Sequence, residues 1–232
     1  MMWGVAPETV PRRGTGLDRS TIVRAAIAIA DTDGMEAVTM RRVAERLNTG
    51  PMSLYRYVPD KDALVSMMVD EVIGSSPGSQ GPDELPPHWR DALRQIAEVI
   101  WAVCQEHPWY AEAVMLRPPL TPNGATGLET CLAIFDGYDV DIATKMLFVA
   151  MTQYAVIGAA LNNAMEGRSR DRLDVTEEEV MSEGMPFIKA MAESGRYPRV
   201  MEFIVSAEHL SEKEEVMRNV ELILDGIATR LG

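Results

Sequence analysis

Histidine and cysteine are scarce in this chain of 232 residues. The three histidines, His88, His107 and His209, lie far apart in the sequence and in no spacing that would hold a metal ion. Neither cysteine is placed with a histidine in a way that indicates a nucleophilic centre, and no glycine-rich loop of the phosphate-binding type is present. These absences predict a protein that is not an enzyme and that uses neither a metal nor a cofactor.

The chain also lacks the apolar segments that are typical of export or membrane insertion. Residues 1–13 contain no apolar stretch of the signal-peptide type, and the most apolar run, residues 146–161, is interrupted by polar side chains. We therefore expect no contact with a membrane. The expected location is the cytoplasm, where Cys104 and Cys131 would stay reduced and buried.

The chain has fewer basic than acidic residues, but the basic residues are concentrated in its N-terminal part. The net charge is −13, which taken alone argues against a nucleic-acid partner. Residues 1–58, however, hold eight arginines against six acidic residues, a net charge of +2, so that the remainder carries −15. A mildly basic tip on an acidic body would orient the molecule on DNA and limit non-specific binding.

Apolar residues recur at helical spacing along the chain, and no alternating pattern predicts a strand, so the expected fold class is all-α. Residues 1–16 are predicted to be a flexible arm, and residues 75–87, rich in Ser, Gly and Pro, a linker or mobile loop. Residues 166–174 are expected to form a charged loop. The spacing, caps and breakers predict helices at 18–33, 40–47, 51–58, 60–74, 89–106, 111–116, 125–138, 141–165, from 176 onward and at 211–231.

Two of these predicted helices are short and are joined by a three-residue turn, 48–50, behind a longer first helix. This is the arrangement of a helix-turn-helix unit, in which one helix enters the major groove of DNA and the others hold it in place. Two tyrosines, Tyr55 and Tyr57, are unusual on a solvated helix face. They suit a role in which the hydroxyls donate to phosphates while the rings pack against the scaffold.

Residues 17–72 closely resemble the DNA-binding head of the TetR family. The resemblance rests on TMRRVAERL at 39–47, PMSLYRYV at 51–58 and KDAL at 61–64. It implies a DNA-binding domain over 17–74, in which Arg41 contacts a base edge, with guanine as the expected partner. It further implies base contacts from the start of the third helix and phosphate contacts around it. The DNA-binding set comprises Thr39, Arg41, Thr49, Pro51, Met52, Ser53, Tyr55, Arg56, Tyr57 and Lys61.

Some of these assignments have plainer alternatives. One of the two neighbouring arginines, Arg41 and Arg42, could be only a solvated helix charge, and Tyr55 could pack inside the head. The turn has Asn-Thr-Gly where the family commonly has Gly-Val-Ser, with Asn48 able to adopt the left-handed backbone that glycine usually supplies. Tyr57 stands where histidine is frequent. These departures affect which operator sequence is recognised and leave the fold intact.

Four shorter segments, 89–94, 107–109, 122–124 and 154–158, look like the effector domain of the drug-responsive branch of the same family. The resemblance implies that residues 88–232 form a helical domain that makes a homodimer and encloses a pocket for a small apolar or amphipathic effector. The helices at 141–165 and 211–231 would build a four-helix bundle with those of the dimer mate. Their apolar stripes support this: Ala143, Leu147, Ala150, Tyr154, Ile157 and Leu161 on one, and Val216, Val220, Ile223, Leu224 and Ile227 on the other.

The pocket is expected to have apolar walls and few polar groups. Gln105, Gln153 and Asn162 are possible polar contacts, and each candidate could instead be ordinary core. The candidates are Trp101, Gln105, Trp109, Met115, Met151, Tyr154 and Phe187.

The functional prediction is a ligand-responsive transcriptional regulator that binds double-stranded operator DNA as a homodimer. Repression, with release by a small molecule, is what the resemblance implies. The alternative is a helical adaptor or scaffold without specific DNA binding. An adaptor would explain the acidic surface and the apolar helices, but it would not explain why Arg41, Tyr55, Tyr57 and Lys61 lie together on one head.

Overall fold

A computed structural model describes residues 17–79, 81–116, 120–173, 176–206 and 210–232. These residues contain α-helices and short 3-10 turns and no strand, which confirms the all-α prediction. The predicted arm at 1–16 lies outside the described residues. The helices are α1 (Arg19–Asp33), α2 (Met40–Arg46), α3 (Pro51–Leu54), α4 (Lys61–Ser75), α5 (Trp89–Glu106), α6 (Tyr110–Leu116), α7 (Pro122–Ala133), α8 (Ile142–Leu173), α9 (Glu177–Ser194), α10 (Pro198–Ser206) and α11 (Glu212–Leu231).

Helices α1 to α4 form the N-terminal head around an aliphatic interior. Asp18, Thr39 and Asp60 cap α1, α2 and α4, each accepting a hydrogen bond from the backbone N–H three residues later, at 2.7, 3.1 and 2.7 Å. These caps fix where the helices begin. The largest side chains sealed in the interior of the head are Ile22, Ile29, Val38, Val43, Leu54, Val58, Leu64 and Met68.

The larger C-terminal domain is organised around α8, which contacts α5, α6, α7 and α11. Phe135, two residues after the end of α7, lies between Trp89 of α5 and Phe148 of α8, with tilted rings whose centroids are 6.4 and 5.4 Å from its own. The apolar stripe predicted on the last helix is largely buried inside the protomer, because Val216, Val220, Leu224 and Ile227 pack within it. The matching stripe of α8 is divided between inward and exposed sides.

Four helical predictions differ from the structure. Helix α3 ends at Leu54 rather than Val58, because the N–H groups of Tyr57 and Val58 both bond to the Leu54 carbonyl in a tight turn before Pro59. Helix α8 continues to Leu173 through the predicted charged loop, since that stretch contains no proline and Arg168 pairs with Glu112 of α6 at 3.0 Å. Helix α7 begins and ends earlier than predicted, and α10 was not predicted separately.

The predicted exclusion from membranes needs a different argument for α8. Residues Ile142–Ser169 are long and apolar enough to cross a bilayer by length and composition alone, so the expectation that the stretch falls short was wrong. Inside the protomer, however, α8 buries Phe148, Val149 and Val156 against its neighbours. One side of α8 therefore belongs to the interior of the C-terminal domain.

Both cysteines are free and buried, as predicted. Burial raises the pKa of the Cys131 thiol to about 11 and that of Cys104 to about 12. At neutral pH both side chains are therefore protonated thiols with little nucleophilic character.

A group of ion pairs joins α5 to α11. Arg94 places Nε 2.5 Å and Nη2 3.2 Å from the two carboxylate oxygens of Glu221, and Arg90 contacts Glu221 and Asp225 at 3.0 and 2.7 Å. Hydrogen bonding from Arg94 lowers the pKa of Glu221. The paired arginines thereby favour the ionised carboxylate in the folded state.

Stability should therefore fall on the acid side in a way that depends on Glu221. Because its folded-state pKa is lowered, its contribution is complete above the ordinary glutamate pKa of about 4.3 and is lost as pH falls through the lower folded value. Glu221→Gln should lower the free energy of unfolding by about 0.5–1 kcal/mol at pH 7, a small value because the pair is partly exposed, and by less at pH 3. Urea unfolding across this range measures the difference. Glu215→Gln, on the same helix, is the control, and an equal pH dependence in both variants would contradict the assignment.

Candidate functional site

The turn between α2 and α3 has a backbone that only a few residue types adopt readily. Asn48 has φ = +50°, and it is the only non-glycine residue in the described part of the chain with a positive φ. Asparagine tolerates this left-handed conformation. The N–H of Thr49 donates to the Ala44 carbonyl at 2.9 Å, and Pro51 begins α3. The turn thus sets the angle at which α3 leaves α2.

Helix α3 has one anchored side and one free side. Leu54, followed by Val58 after the helix, is fully buried in the head, whereas Pro51 and Met52 project into solvent, with Met52 78% exposed. A large apolar side chain this exposed at the start of a short helix contributes little to the core. It is available for contact with another molecule.

The residues after α3 extend this free surface. Tyr55 is 45% exposed, and Tyr57 is half-buried against the hydrophobic interior of the head. The Arg56 guanidinium lies over the Tyr57 ring, 5.9 Å from its centroid. Tyr57 therefore combines partial packing with access to solvent, while Tyr55 is the more exposed of the two.

The two neighbouring arginines of α2 differ in their partners. Arg42 pairs with Asp33 at 2.6 Å and so ties α2 to the end of α1. Arg41 pairs with Glu45 at 2.8 Å on its own helix, and its side chain is 84% exposed. Of the two, Arg42 has the position of an interhelical contact, while Arg41 reaches out from the surface.

Thr39 and Lys61 stand at the starts of α2 and α4. The Thr39 hydroxyl accepts the α2 cap bond, which leaves its proton free to be donated elsewhere. The Lys61 ammonium donates to the Met35 carbonyl at 3.2 Å, across the head from its own helix. Both side chains are exposed. The head therefore presents Thr39, Arg41, Met52, Tyr55, Arg56 and Lys61 to solvent, with Thr49, Ser53 and Tyr57 partly exposed.

A carboxylate in α1 connects the head to the C-terminal domain. Asp31 Oδ1 accepts a hydrogen bond from Trp109 Nε1 at 2.7 Å and lies 2.8 Å from Nδ1 of His107. Trp109 is almost fully buried, so its N–H depends on this acceptor. We call Asp31, His107 and Trp109 the α1 junction.

A second junction joins α4 to α7. Asp70 Oδ1 accepts from the backbone N–H of Asn123 at 2.8 Å, and the Asn123 amide returns bonds to the Asp70 carbonyl and carboxylate at 3.0 and 3.2 Å. Gly74, one turn further along α4, lies so close that a Cβ there would come within 2.4 Å of the Asn123 amide. We call Asp70, Gly74 and Asn123 the α4 junction.

Neither junction was predicted, because their partners lie 53 to 78 residues apart in sequence. The one available signal was Trp109, since a buried indole N–H needs an acceptor.

The predicted pocket residues occupy different environments in a single protomer. Trp101 and Trp109 are buried, while the other five are exposed. A cavity of about 480 Å³ lies elsewhere, against α11, and is lined by Leu210, Glu214, Met217, Arg218, Glu221 and Leu222. None of the seven candidates lines it. The exposed candidates are Gln105, Met115, Met151, Tyr154 and Phe187.

Comparison with known protein families gives two matches. Residues 22–68 match the model for bacterial regulatory proteins of the tetR family, and residues 82–231 match the model for the tetracyclin repressor-like C-terminal domain. Together the two models account for both the head and the C-terminal domain.

The relatives to which this chain is similar include transcriptional regulators. The HTH-type transcriptional repressor DrrR1 of Streptomyces coeruleorubidus is 32% identical over 98% of this chain and 83% of its own length. An HTH-type transcriptional regulator of Saccharopolyspora erythraea is 34% identical over 66% of this chain and 64% of its own length. These relatives are regulators and not enzymes, and the adaptor alternative finds no support among them.

Solved structures share the fold. ActR of Streptomyces coelicolor in complex with actinorhodin has a TM-score of 0.76 at 22% identity, over 93% of this chain and 99% of that chain. A TetR protein of Acinetobacter baumannii AYE in complex with minocycline has a TM-score of 0.67 at 18% identity, over the same shares.

Proposed function

Because this chain belongs to the TetR family, we propose that it is a ligand-responsive transcriptional repressor that holds its operator through the free side of α3 together with Arg41. The observation that carries this proposal is the combination of a buried anchor, Leu54, with a projecting Met52 and a projecting arginine on the preceding helix. An α-helix with its side chains is about 10–12 Å in diameter, which fits the major groove, about 12 Å wide.

Each exposed group of the head has a DNA atom that suits its chemistry. The guanidinium of Arg41 matches O6 and N7 of guanine, and Met52 and Pro51 suit the methyl group of thymine. The Ser53 hydroxyl can bond to a base, and Thr49 lies beside it in the turn. Phosphates would be bound by hydroxyl, ammonium and guanidinium groups around α3. These phosphate contacts are assigned to Thr39, Tyr55, Arg56, Tyr57 and Lys61.

The proposed partner on the protein side is a second copy of the chain. Leu147, Met151, Tyr154 and Gly158 follow one another at intervals of four, three and four residues along α8, and all are exposed in the single protomer. This spacing forms one continuous helical stripe. A dimer that covers it would place two heads on one DNA site, as half-site recognition requires.

Charge placed in this stripe should break the dimer. Leu147→Glu would bury a carboxylate without a partner at the helix contact, so we expect a monomer at micromolar concentration and a large loss of operator affinity. Sedimentation velocity measures the change in mass. Leu120→Glu is the control, because Leu120 is also an exposed leucine but lies outside α8. A Leu147→Glu variant that remains dimeric would place the interface elsewhere.

The effector is proposed to be apolar or amphipathic and to bind in the C-terminal domain. Trp101 supplies a buried aromatic wall on α5, and the exposed apolar side chains Met115, Met151, Tyr154 and Phe187 would be covered on dimerisation. Trp109 belongs to the same region, but its N–H is already bonded to Asp31. Gln105, at the end of α5, remains the candidate polar contact.

The two junctions are proposed to couple effector binding in the C-terminal domain to DNA binding by the head. An effector that binds more tightly to an arrangement of the C-terminal domain in which the heads are differently spaced weakens DNA binding. The factor by which the effector lowers DNA affinity equals the factor by which DNA lowers effector affinity. Helix α4 is hydrogen-bonded to α7 through Asp70 and Asn123, and α1 is hydrogen-bonded to the α5–α6 turn through Asp31. We place this process in the cytoplasm, where the DNA is.

A titration of DNA tests the proposal as a whole. Purified protein is added to fluorescent DNA from the region flanking its own gene at fixed salt, and anisotropy reports binding; actinorhodin and minocycline serve as the first effector probes. Sequence-dependent binding that an apolar compound reverses is expected. Binding indifferent to DNA sequence would contradict the proposal.

A further inference from the structure

The contact between Arg41 and Glu45 engages only part of the arginine. Glu45 Oε1 lies 2.8 Å from Nε of Arg41, and both side chains stand well out of the protein, 84% and 61% exposed. No described residue outside α2 forms an ion pair with either side chain. The pair thus does not join two elements, in contrast to the Arg42–Asp33 pair, which ties α2 to α1.

Engagement at Nε leaves the arginine fork available. A guanidinium carries five N–H donors in a fixed plane, and the four on the two terminal amino groups remain to bond O6 and N7 of guanine. A carboxylate that holds Nε limits the rotation of the long side chain and therefore orients that plane before DNA arrives. Less conformational freedom is then lost when the base contact forms.

The charge of Glu45 has a second effect at the same place. Non-specific binding depends on contacts between cationic groups and phosphates. A carboxylate one helical turn from Arg41 repels phosphates and competes with them for the guanidinium. It disfavours the use of Arg41 as a general phosphate contact more than its use at a base edge.

From these two effects we infer that Glu45 is a positioning residue for sequence discrimination: it orients Arg41 toward guanine and keeps it off the phosphate backbone. The inference rests on the proposed contact between Arg41 and a base. It goes beyond that contact by assigning a role to an acidic residue that lies at the DNA-binding surface without binding DNA itself.

The experiment compares Glu45→Ala and Glu45→Gln with the wild type and with Arg41→Ala. The probes are an operator selected from random duplexes by repeated binding, the same operator with 7-deazaguanine at each guanine in turn, and an unselected duplex, all at two salt concentrations. Glutamine keeps an acceptor oxygen for Nε but loses the charge, so it separates orientation from repulsion. Thermal unfolding of each variant confirms that the head is folded.

For Glu45→Ala we expect operator binding about threefold weaker and binding to the unselected duplex about threefold tighter, so that discrimination falls about tenfold. Glu45→Gln should tighten binding to the unselected duplex in the same way while keeping most of the operator affinity. Replacing a guanine by 7-deazaguanine lowers operator affinity, and we call this loss the 7-deazaguanine penalty. With Arg41→Ala already present, Glu45→Ala should no longer change this penalty.

Two results would overturn the inference, and they are distinguishable. If Glu45→Ala shifts operator and unselected DNA by the same factor, with or without Arg41, then Glu45 is only a general surface charge. If Arg41→Ala leaves the 7-deazaguanine penalty unchanged, the base contact of Arg41 is itself wrong, and the inference fails together with the proposed function.

Discussion

Arg41→Ala is expected to weaken operator binding by about 5- to 150-fold, because a bidentate arginine–guanine pair contributes about 1–3 kcal/mol of discrimination. Arg41 is highly exposed and is not part of the interior of the head, so the variant should fold normally. Fluorescence anisotropy with the selected operator, at one stated salt concentration, measures the loss. Binding to an unselected duplex should change much less, because many cationic contacts supply that affinity and Arg41 is only one of them.

Arg46→Ala provides the matched control for charge. Arg46 is also exposed on α2 and its removal changes the net charge by the same amount, but it lies about 140° around the helix axis from Arg41. We expect a small loss that is similar on operator and unselected DNA. Equal losses from the two variants on the operator would show that Arg41 acts through its charge alone and not through a base.

The second large effect is expected at the α1 junction. Asp31→Ala leaves the buried Trp109 N–H without its acceptor, which should cost about 1–3 kcal/mol of stability and disconnect α1 from the α5–α6 turn. In the wild type, operator binding at the head should change hydrogen exchange of amides in α6, because coupling between two sites is reciprocal. In Asp31→Ala this response should be lost. The measurement needs no knowledge of the effector.

Asp31→Asn separates coupling from mere destabilisation. The asparagine side chain keeps an oxygen that can accept from Trp109 Nε1, so this variant should retain most of the α6 response. Trp109→Phe removes the donor and should behave like Asp31→Ala. If operator DNA alters α6 exchange equally in Asp31→Ala and the wild type, the coupling runs elsewhere, with the α4 junction as the remaining candidate.

The architecture of the head could be predicted because its signals are local. Asp18, Thr39 and Asp60 are caps whose hydrogen bonds span three residues, and Pro51 and Pro59 bracket α3 and the turn that follows it. Only the length of α3 was overestimated, since a tight turn and a regular helix share the same apolar spacing over one turn. Helix α8 was underestimated for the opposite reason: a run of charged residues continues a helix when nothing in it breaks the backbone.

The C-terminal domain was harder to predict because its contacts are distant in sequence. The hydrogen bonds of Asp31 with Trp109 and of Asp70 with Asn123 depend on how whole helices pack. The pocket candidates were chosen by residue type, and residue type does not separate a buried wall such as Trp101 from an exposed stripe such as that of Tyr154. That distinction depends on tertiary packing and, in the proposed dimer, on the partner protomer.

Selection of DNA from a random library tests the central claim most directly. The purified protein is incubated with duplexes of random sequence, the bound fraction is amplified over several rounds, and the survivors are sequenced. We predict enrichment of an inverted repeat whose half-site centres lie one helical turn, about 34–36 Å, or a multiple of it apart, with a guanine in each half that Arg41→Ala no longer discriminates. A surviving pool without a repeated sequence would contradict the claim that this head recognises an operator.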